Sequence, residues 1–298
     1  MPILLHNPSS RRSFLKTTAL GGVALVVAGC RGLAPAAATK GEWHLALLSD
    51  THVPGDRVNG YRGFNPWQNL QNVVPRVLES APEAAILCGD AARLEGKEAD
   101  YREVAALLEP LAAAVPVCLG LGNHDDRGNF LKVFTQRPGT HPAVDGKCIT
   151  AIEHPVARLI VLDSLLYTNK VAGLLGKTQR GWLARYLPTL GDRPTVLFVH
   201  HTLGNGDGDL LDAGQLFALT KTCRHVKAIF YGHSHVWELG ERDRLKLVNL
   251  PAVGYNFRDQ DPVGWVDARF RTDGVALTLH AIAGNRAEDG KTWFVAWS

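Results

Sequence analysis

An α/β fold is predicted by two features of the 298-residue chain. Strand-length apolar runs alternate with stretches of helical spacing, and most of those runs stop at a residue type that can ligate a metal. The runs occupy residues 45–48, 84–88, 115–119, 159–162, 196–199 and 228–231. Being apolar at successive rather than alternate positions, they suit strands covered on both faces by other layers. Residues 67–80 and 100–114 carry apolar side chains at helical intervals, and residues 179–187 do so more briefly. From residue 246 the texture changes, and 247–250, 264–270 and 276–280 read as antiparallel strands. No internal repeat is present, so one domain from residue 42 to 298 is the simplest division.

The net charge of +3 resolves into two unlike parts. Residues 1–40 hold Arg11, Arg12, Lys16, Arg31 and Lys40 and no acid, which leaves 27 basic against 29 acidic residues, about −2, for the remainder. A basic footprint for nucleic acid is therefore absent from the body, and nucleic acid is not expected as a partner. Ser10-Arg11-Arg12-Ser13-Phe14-Leu15-Lys16 resembles a bacterial twin-arginine export signal, and the apolar stretch 18–28 after it is too short to span a bilayer permanently. Val27-Ala28-Gly29-Cys30 resembles a lipoprotein processing site that would attach the protein to a membrane through a lipidated Cys30; cleavage near Ala36-Ala37-Ala38 is the alternative. Residues 1–30 are thus expected to be an address read by the twin-arginine export machinery, 31–41 a flexible tether, and the mature protein periplasmic or envelope-associated. Cys88, Cys118, Cys148 and Cys223 show no C-x-x-C spacing and are expected to be structural.

Five short polar signatures stand at the ends of the apolar runs: Asp50-Thr51-His52, Gly89-Asp90, Gly122-Asn123-His124-Asp125, His200-His201 and Gly232-His233-Ser234-His235. Asp, Asn and His supply oxygen and imidazole ligands, the set that suits borderline divalent or trivalent metals. Singly, each has an ordinary explanation: Asp50 and Asp90 as helix caps, Asn123 as a turn residue, His52 as a surface histidine. Together those explanations require five coincidences in order, each at a strand end. In open α/β sheets ligands gather beyond the carboxyl ends of the strands, so these residues are expected to converge.

Spread over residues 50–235, the signatures resemble those of calcineurin-like metallophosphoesterases, D-x-H, G-D, G-N-H-[DE], H and G-H-x-H. Gly122 to Arg127 is also similar to the cyclic-nucleotide and glycerophosphodiester phosphodiesterase branch. The resemblance implies a four-layer α/β/β/α sandwich of two facing mixed sheets flanked by helices, the metallo-dependent phosphatase fold. It implies two metal ions, with Fe, Mn and Zn all compatible with the donors. Asp50, His52 and His235 would hold the first metal, Asn123, His200 and His233 the second, and Asp90 would bridge them. Such a pair clamps a phosphoryl group and sharpens a bridging water into a hydroxide nucleophile. His124 would protonate the leaving oxygen as a general acid, with an imidazole pKa near neutrality suiting the task.

Several positions have two readings. His201 is an alternative to His200, and Asp125 either orients His124 or is a solvated loop carboxylate. Arg127, with Asn123, is a candidate substrate contact, while Asp163 reads as structural. Asn59 to Trp67 offers Tyr61, Phe64, Trp67 and Arg62 either to a substrate or to a helix entry. The function implied is hydrolysis of a small phosphodiester or phosphomonoester substrate. A nuclease of the same superfamily is opposed by the charge of the body, and a catalytically silent metal-stabilised scaffold would have no need of His124.

Overall fold

The structure, a computed structural model, describes residues 41–298. The expected export signal and the tether, Gly41 apart, lie outside the described residues. β1 (Trp43–Leu48) is buried at every position, and its side chains alternate between two cores. Leu45 and Leu47 face one core, Ala46 and Leu48 the other, as the twofold period of a strand requires. β1 lies parallel to β2 (Ala84–Leu87), which lies parallel to β3 (Val117–Leu119). On its other side β1 runs antiparallel to β10 (Pro262–Arg271), followed by β11 (Gly274–Gly284) and β12 (Thr292–Ala296).

The second sheet has the order β4 (Thr150–Glu153), β5 (Arg158–Val161), β6 (Thr195–Phe198), β7 (Val226–Tyr231), β9 (Leu245–Asn249), β8 (Glu238–Arg242). Strands β5, β6, β7 and β9 are mutually parallel along this order. The reading of 247–250 as antiparallel is therefore corrected: β9 is antiparallel to β8 alone. The hairpin β8–β9 returns the chain to the β7 edge in the same direction as β7, a connection that local composition does not reveal.

The two sheets face each other across a core that joins Leu45, Leu47 and Ile86 to Leu159, Val161, Val196, Phe198 and Phe230. The outer face of the first sheet packs on α1 (Pro66–Ser80), α2 (Glu98–Ala114) and α3 (Arg127–Val133) through Leu70, Val73, Val77, Val104, Leu108 and Phe130. The second sheet's outer face packs on α4 (Gly176–Tyr186) and α5 (Ala213–Lys221) through Leu183 and Leu216. Each such buried aliphatic side chain contributes roughly 1.5–3 kcal/mol. The result is the α/β/β/α sandwich, and it explains why the runs 45–48, 84–88, 159–162 and 196–199 are apolar at successive positions. Cys88, Cys118 and Cys223 are buried, Cys148 is half-buried, and all four are free thiols.

Local signals start the helices where they are needed. Asn65 Oδ1 accepts the Gln68 N–H (3.0 Å) and Pro66 takes the first position of α1. Asp126 Oδ1 caps α3 by accepting the Asn129 N–H (2.8 Å). The next residue, Arg127, reaches to the second sheet and grips Asp163, just past β5, with Nε–Oδ2 at 2.6 Å and Nη2–Oδ1 at 2.8 Å. Asp163 is fully buried and also accepts the N–H groups of Cys148 (2.8 Å) and Leu165 (3.0 Å). This bidentate pair ties α3, on the first sheet, to the end of β5 in the second. Asp163→Ala is expected to lower unfolding free energy by about 3 kcal/mol, because it strands a largely buried guanidinium. Urea denaturation followed by circular dichroism measures this, and a loss below about 1 kcal/mol would show that the pair does not hold the two layers together.

Candidate metal centre

Every ligand-type residue of the signatures is delivered by a loop leaving the carboxyl end of a parallel strand. Asp50 and His52 follow β1, Asp90 follows β2, Asn123 follows β3, His200 follows β6, and His233 and His235 follow β7. The first two loops are zipped together by backbone bonds from Asp50 N–H to the Gly89 carbonyl (3.1 Å), His52 N–H to that of Asp90 (2.9 Å) and Val53 N–H to that of Ala91 (3.0 Å). Asp50, His52, Asp90, His233 and His235 all have left-handed backbone, with φ of 52°, 46°, 50°, 69° and 57°. That conformation costs roughly 1–2 kcal/mol for a residue with a side chain. Two glycines show why the signatures begin as they do. A Cβ on Gly122 would overlap the Asp90 carboxylate, and one on Gly232 would overlap Ser49 Oγ and Asp50 Oδ2.

The imidazoles are aimed from behind. His52 Nδ1 lies 3.2 Å from the Arg93 carbonyl, His200 Nδ1 2.9 Å from that of Cys88, His235 Nδ1 2.6 Å from that of Tyr255, and His233 Nε2 3.1 Å from that of Gly208. A carbonyl can only accept, so each of these nitrogens carries the proton and the other ring nitrogen is left to face the site. Those second nitrogens converge. His52 Nε2 and His235 Nε2 are 3.1 Å apart, His235 Nε2 is 3.3 Å from Asp50 Oδ1, and His233 Nδ1 is 2.9 Å from Asn123 Oδ1. Asp90 Oδ2 sits between the groups, 3.3 Å from His200 Nε2 and 3.7 Å from His52 Nε2.

In three sets the potential ligand atoms all lie within 4.8 Å of one another: Asp50, His52 and His235; Asp90, His200 and His233; and His52, Asp90 and His124. Asp50, His52, Asp90, Asn123, His200 and His235 are each at most 2% exposed. Asp50 Oδ1 and His200 Nε2 are buried without a hydrogen-bond partner. Buried acceptors facing one another, two of them orphaned, are intolerable in a dry interior unless positive charge lies among them. The donor set therefore fits a pair of cations.

The electrostatics agree. Burial is the largest influence on His200 and opposes its protonation, yet the Asp90 and Asp50 carboxylates outweigh it and push the ring up to about 10 in the metal-free protein. Burial holds His52 down at about 3 and His233 at about 4. For Asp50 and Asp90 burial acts upward, but the neighbouring imidazoles prevail and keep both carboxyls below the usual carboxylate range.

His124 differs from these rings in being half-buried, at the mouth of the site. Its backbone N–H donates to Asp90 Oδ1 (2.8 Å), and its Nδ1 faces the Leu94 carbonyl at 3.0 Å, which leaves Nε2 as the nitrogen for an incoming group. Asp125 neither orients His124 by a hydrogen bond nor stands in solvent. It is fully buried and accepts from Gly122 N–H (2.8 Å), Ala92 N–H (3.1 Å) and the Tyr101 hydroxyl (3.1 Å). Burial raises its pKa to about 6. Asp125 thus holds the loop that carries Asn123 and His124.

Arg127 is likewise corrected as a substrate contact: its guanidinium is committed to Asp163 and the Leu165 carbonyl. His201, the alternative to His200, has its Nδ1 engaged by Ser164 Oγ at 2.7 Å. The 59–67 loop divides by role. Arg62 is tied to the carbonyls of Asn256 (2.9 Å) and Phe257 (2.6 Å), and the Trp67 indole donates to Glu103 (2.8 Å), whereas Tyr61 remains 42% exposed. The residues whose carbonyls orient the histidines, Arg93, Cys88, Tyr255 and Gly208, escape sequence reasoning. A carbonyl leaves no side-chain signal, and only the position of Arg93, three residues past Asp90, hints at proximity.

Residues 44–237 match a family model described as calcineurin-like phosphoesterase. The chain is 29% identical over 222 residues to a glycerophosphodiester phosphodiesterase of Enterobacter lignolyticus, covering 70% of this chain and 77% of that one. It is 30% identical over 203 residues to a cAMP/cGMP dual specificity phosphodiesterase of Mycobacterium tuberculosis, covering 65% of this chain and 62% of that one. Among solved structures, a dimetal phosphatase from Danio rerio superimposes with a TM-score of 0.67 at 15% identity, covering 86% of this chain and 99% of that one. With the family model spanning all five signatures, the chain belongs to the calcineurin-like phosphoesterase family.

Proposed function

We propose that this protein hydrolyses phosphodiesters at a two-cation site. One cation would be held by Asp50, His52 and His235, the other by Asn123, His200 and His233, with Asp90 shared. The observation that carries this reading is the convergence of buried acceptor atoms, above all His52 Nε2 opposite His235 Nε2 at 3.1 Å and the orphaned Asp50 Oδ1 and His200 Nε2. Imidazole, carboxylate and amide donors without a thiolate suit Fe, Mn or Zn. When bound, the two cations would supply positive charge to the phosphoryl group and an activated water.

The chain's own residues supply the rest. His124, anchored through Nδ1 on the Leu94 carbonyl, presents Nε2 to the leaving oxygen and donates a proton there. Asp125 and Tyr101 hold the backbone of that loop so that Asn123 and His124 keep their separate directions. Relatives named for glycerophosphodiesters and for cyclic nucleotides support a diester in preference to a monoester.

Residues 41–298 loaded with Mn or Zn should hydrolyse an aryl phosphodiester, and His124→Ala should lower kcat by about 10²–10⁴-fold while metal content stays unchanged. Turnover unaffected by the substitution, or loss of metal from it, would remove the acid role. Asp90→Asn should deplete both metals at once in elemental analysis, since His52 of one group and His200 of the other both face that carboxylate; retention of a full complement would refute the shared role.

Export is proposed on the sequence alone: Arg11 and Arg12 within Ser10 to Lys16 are the support. Changing both to Lys should leave the precursor in the cytoplasm on fractionation, and undiminished export of that variant would sink the idea.

A further inference from the structure

The segment that follows Asp90 does more than orient histidines. A cleft of about 550 Å³ opens between residues 54–59 and the start of α2, with Arg93 and Leu94 in its wall. The carbonyls of those two residues hold His52 Nδ1 and His124 Nδ1 at 3.2 and 3.0 Å. The cleft therefore adjoins the flank of the site from which His124 would serve the leaving oxygen.

On this flank the other cations are already engaged. Arg57 pairs with Glu103 (2.9 Å), Lys97 pairs with Glu95 (2.8 Å), and Arg62 is tied to backbone carbonyls. Arg93 is not. Among the described residues its guanidinium has no carboxylate within 4.0 Å, and the group's one hydrogen bond is a long one from Nε to Asn59 Oδ1, 3.4 Å. The guanidinium lies over Tyr61, 4.9 Å from the ring centroid, and 5.7 Å from that of Tyr255, whose ring packs 4.8 Å from His52. Two aromatic faces thus restrain the fork before any ligand arrives, leaving its Nη groups without a protein acceptor.

A restrained guanidinium with free N–H groups is complementary to a carboxylate or phosphate. We propose that Arg93 binds a second anionic group, one carried by the departing alcohol, so that the preferred substrates are phosphodiesters whose leaving group is itself charged. This assignment rests on the phosphodiesterase reading above, and it concerns the alcohol side of the bond, not the phosphoryl group that is cleaved.

Methyl 4-carboxyphenyl phosphate and methyl 4-carbamoylphenyl phosphate differ mainly in one charge on the leaving phenol, and they provide the test. The metal-loaded protein should show kcat/KM roughly tenfold higher for the carboxylate ester, mostly through KM, as expected for a partly exposed charge-assisted bond. That ratio should collapse toward one in Arg93→Gln. It should also collapse in Asn59→Asp, which sets a carboxylate beside the guanidinium without removing it. A wild-type ratio of one, or a ratio that survives both variants, overturns the assignment. If Arg93→Gln slows both esters equally, the residue serves the scissile phosphoryl group and the assignment also fails. Absence of hydrolysis of either ester would instead refute the phosphodiesterase reading itself. Independently of turnover, metal-free protein should bind 4-hydroxybenzoate more tightly than 4-hydroxybenzamide in a ligand-observed NMR titration. Arg93→Gln should abolish that difference, and equal binding in the wild type would count against the proposal.

Discussion

Two buried carboxylates and four imidazoles direct acceptor atoms into one small volume, and positive charge in that volume is the condition under which the arrangement is stable. Asp50 and Asp90 are at most 1% exposed, and the proton on each orienting nitrogen of His52, His200, His233 and His235 is turned outward to a backbone carbonyl. Much of the surrounding backbone is subordinate to this. Five residues accept left-handed conformations in order to face inward, and the glycines of two signatures leave room for a carboxylate beside them. Strain of this kind persists where surrounding structure over-determines it, and here the zipped β1 and β2 loops and the core beneath them do so.

The architecture makes such a site easy to place. Parallel strands from two facing sheets end at the same edge of the sandwich, so loops from both arrive together without long excursions. The Arg127–Asp163 pair fastens the two layers near that edge. His124 and Arg93, the groups proposed to meet the substrate, both come from loops of the first sheet.

The strands and the ligand signatures were legible because each signature is short, local and placed at the end of an apolar run. The sequence conceals whatever depends on a distant residue. Arg127 follows His124 by three positions and looks available, but its fate is decided by Asp163, thirty-six residues on. Asp125 looks like a loop carboxylate until Tyr101 and three backbone N–H groups are seen to enclose it. β9 has the texture of an antiparallel strand, and its parallel pairing with β7 follows from the intervening β8 hairpin. The aim of the imidazoles was invisible for another reason: it is set by main-chain carbonyls, which any residue provides.

The division of the ligands between the sheets carries a kinetic consequence. Asp50, His52, Asp90 and Asn123 arrive from the first sheet, and His200, His233 and His235 from the second, the first and the last standing 185 positions apart. On the proposed assignment neither cation shell is complete until both layers have docked. A nascent or half-folded chain is then a poor chelator, and capture belongs to the last stage of assembly. Interactions gained so late slow unfolding far more than they hasten folding. The cations would therefore act as a seal on the finished molecule, and their occupancy would mark chains that had completed folding.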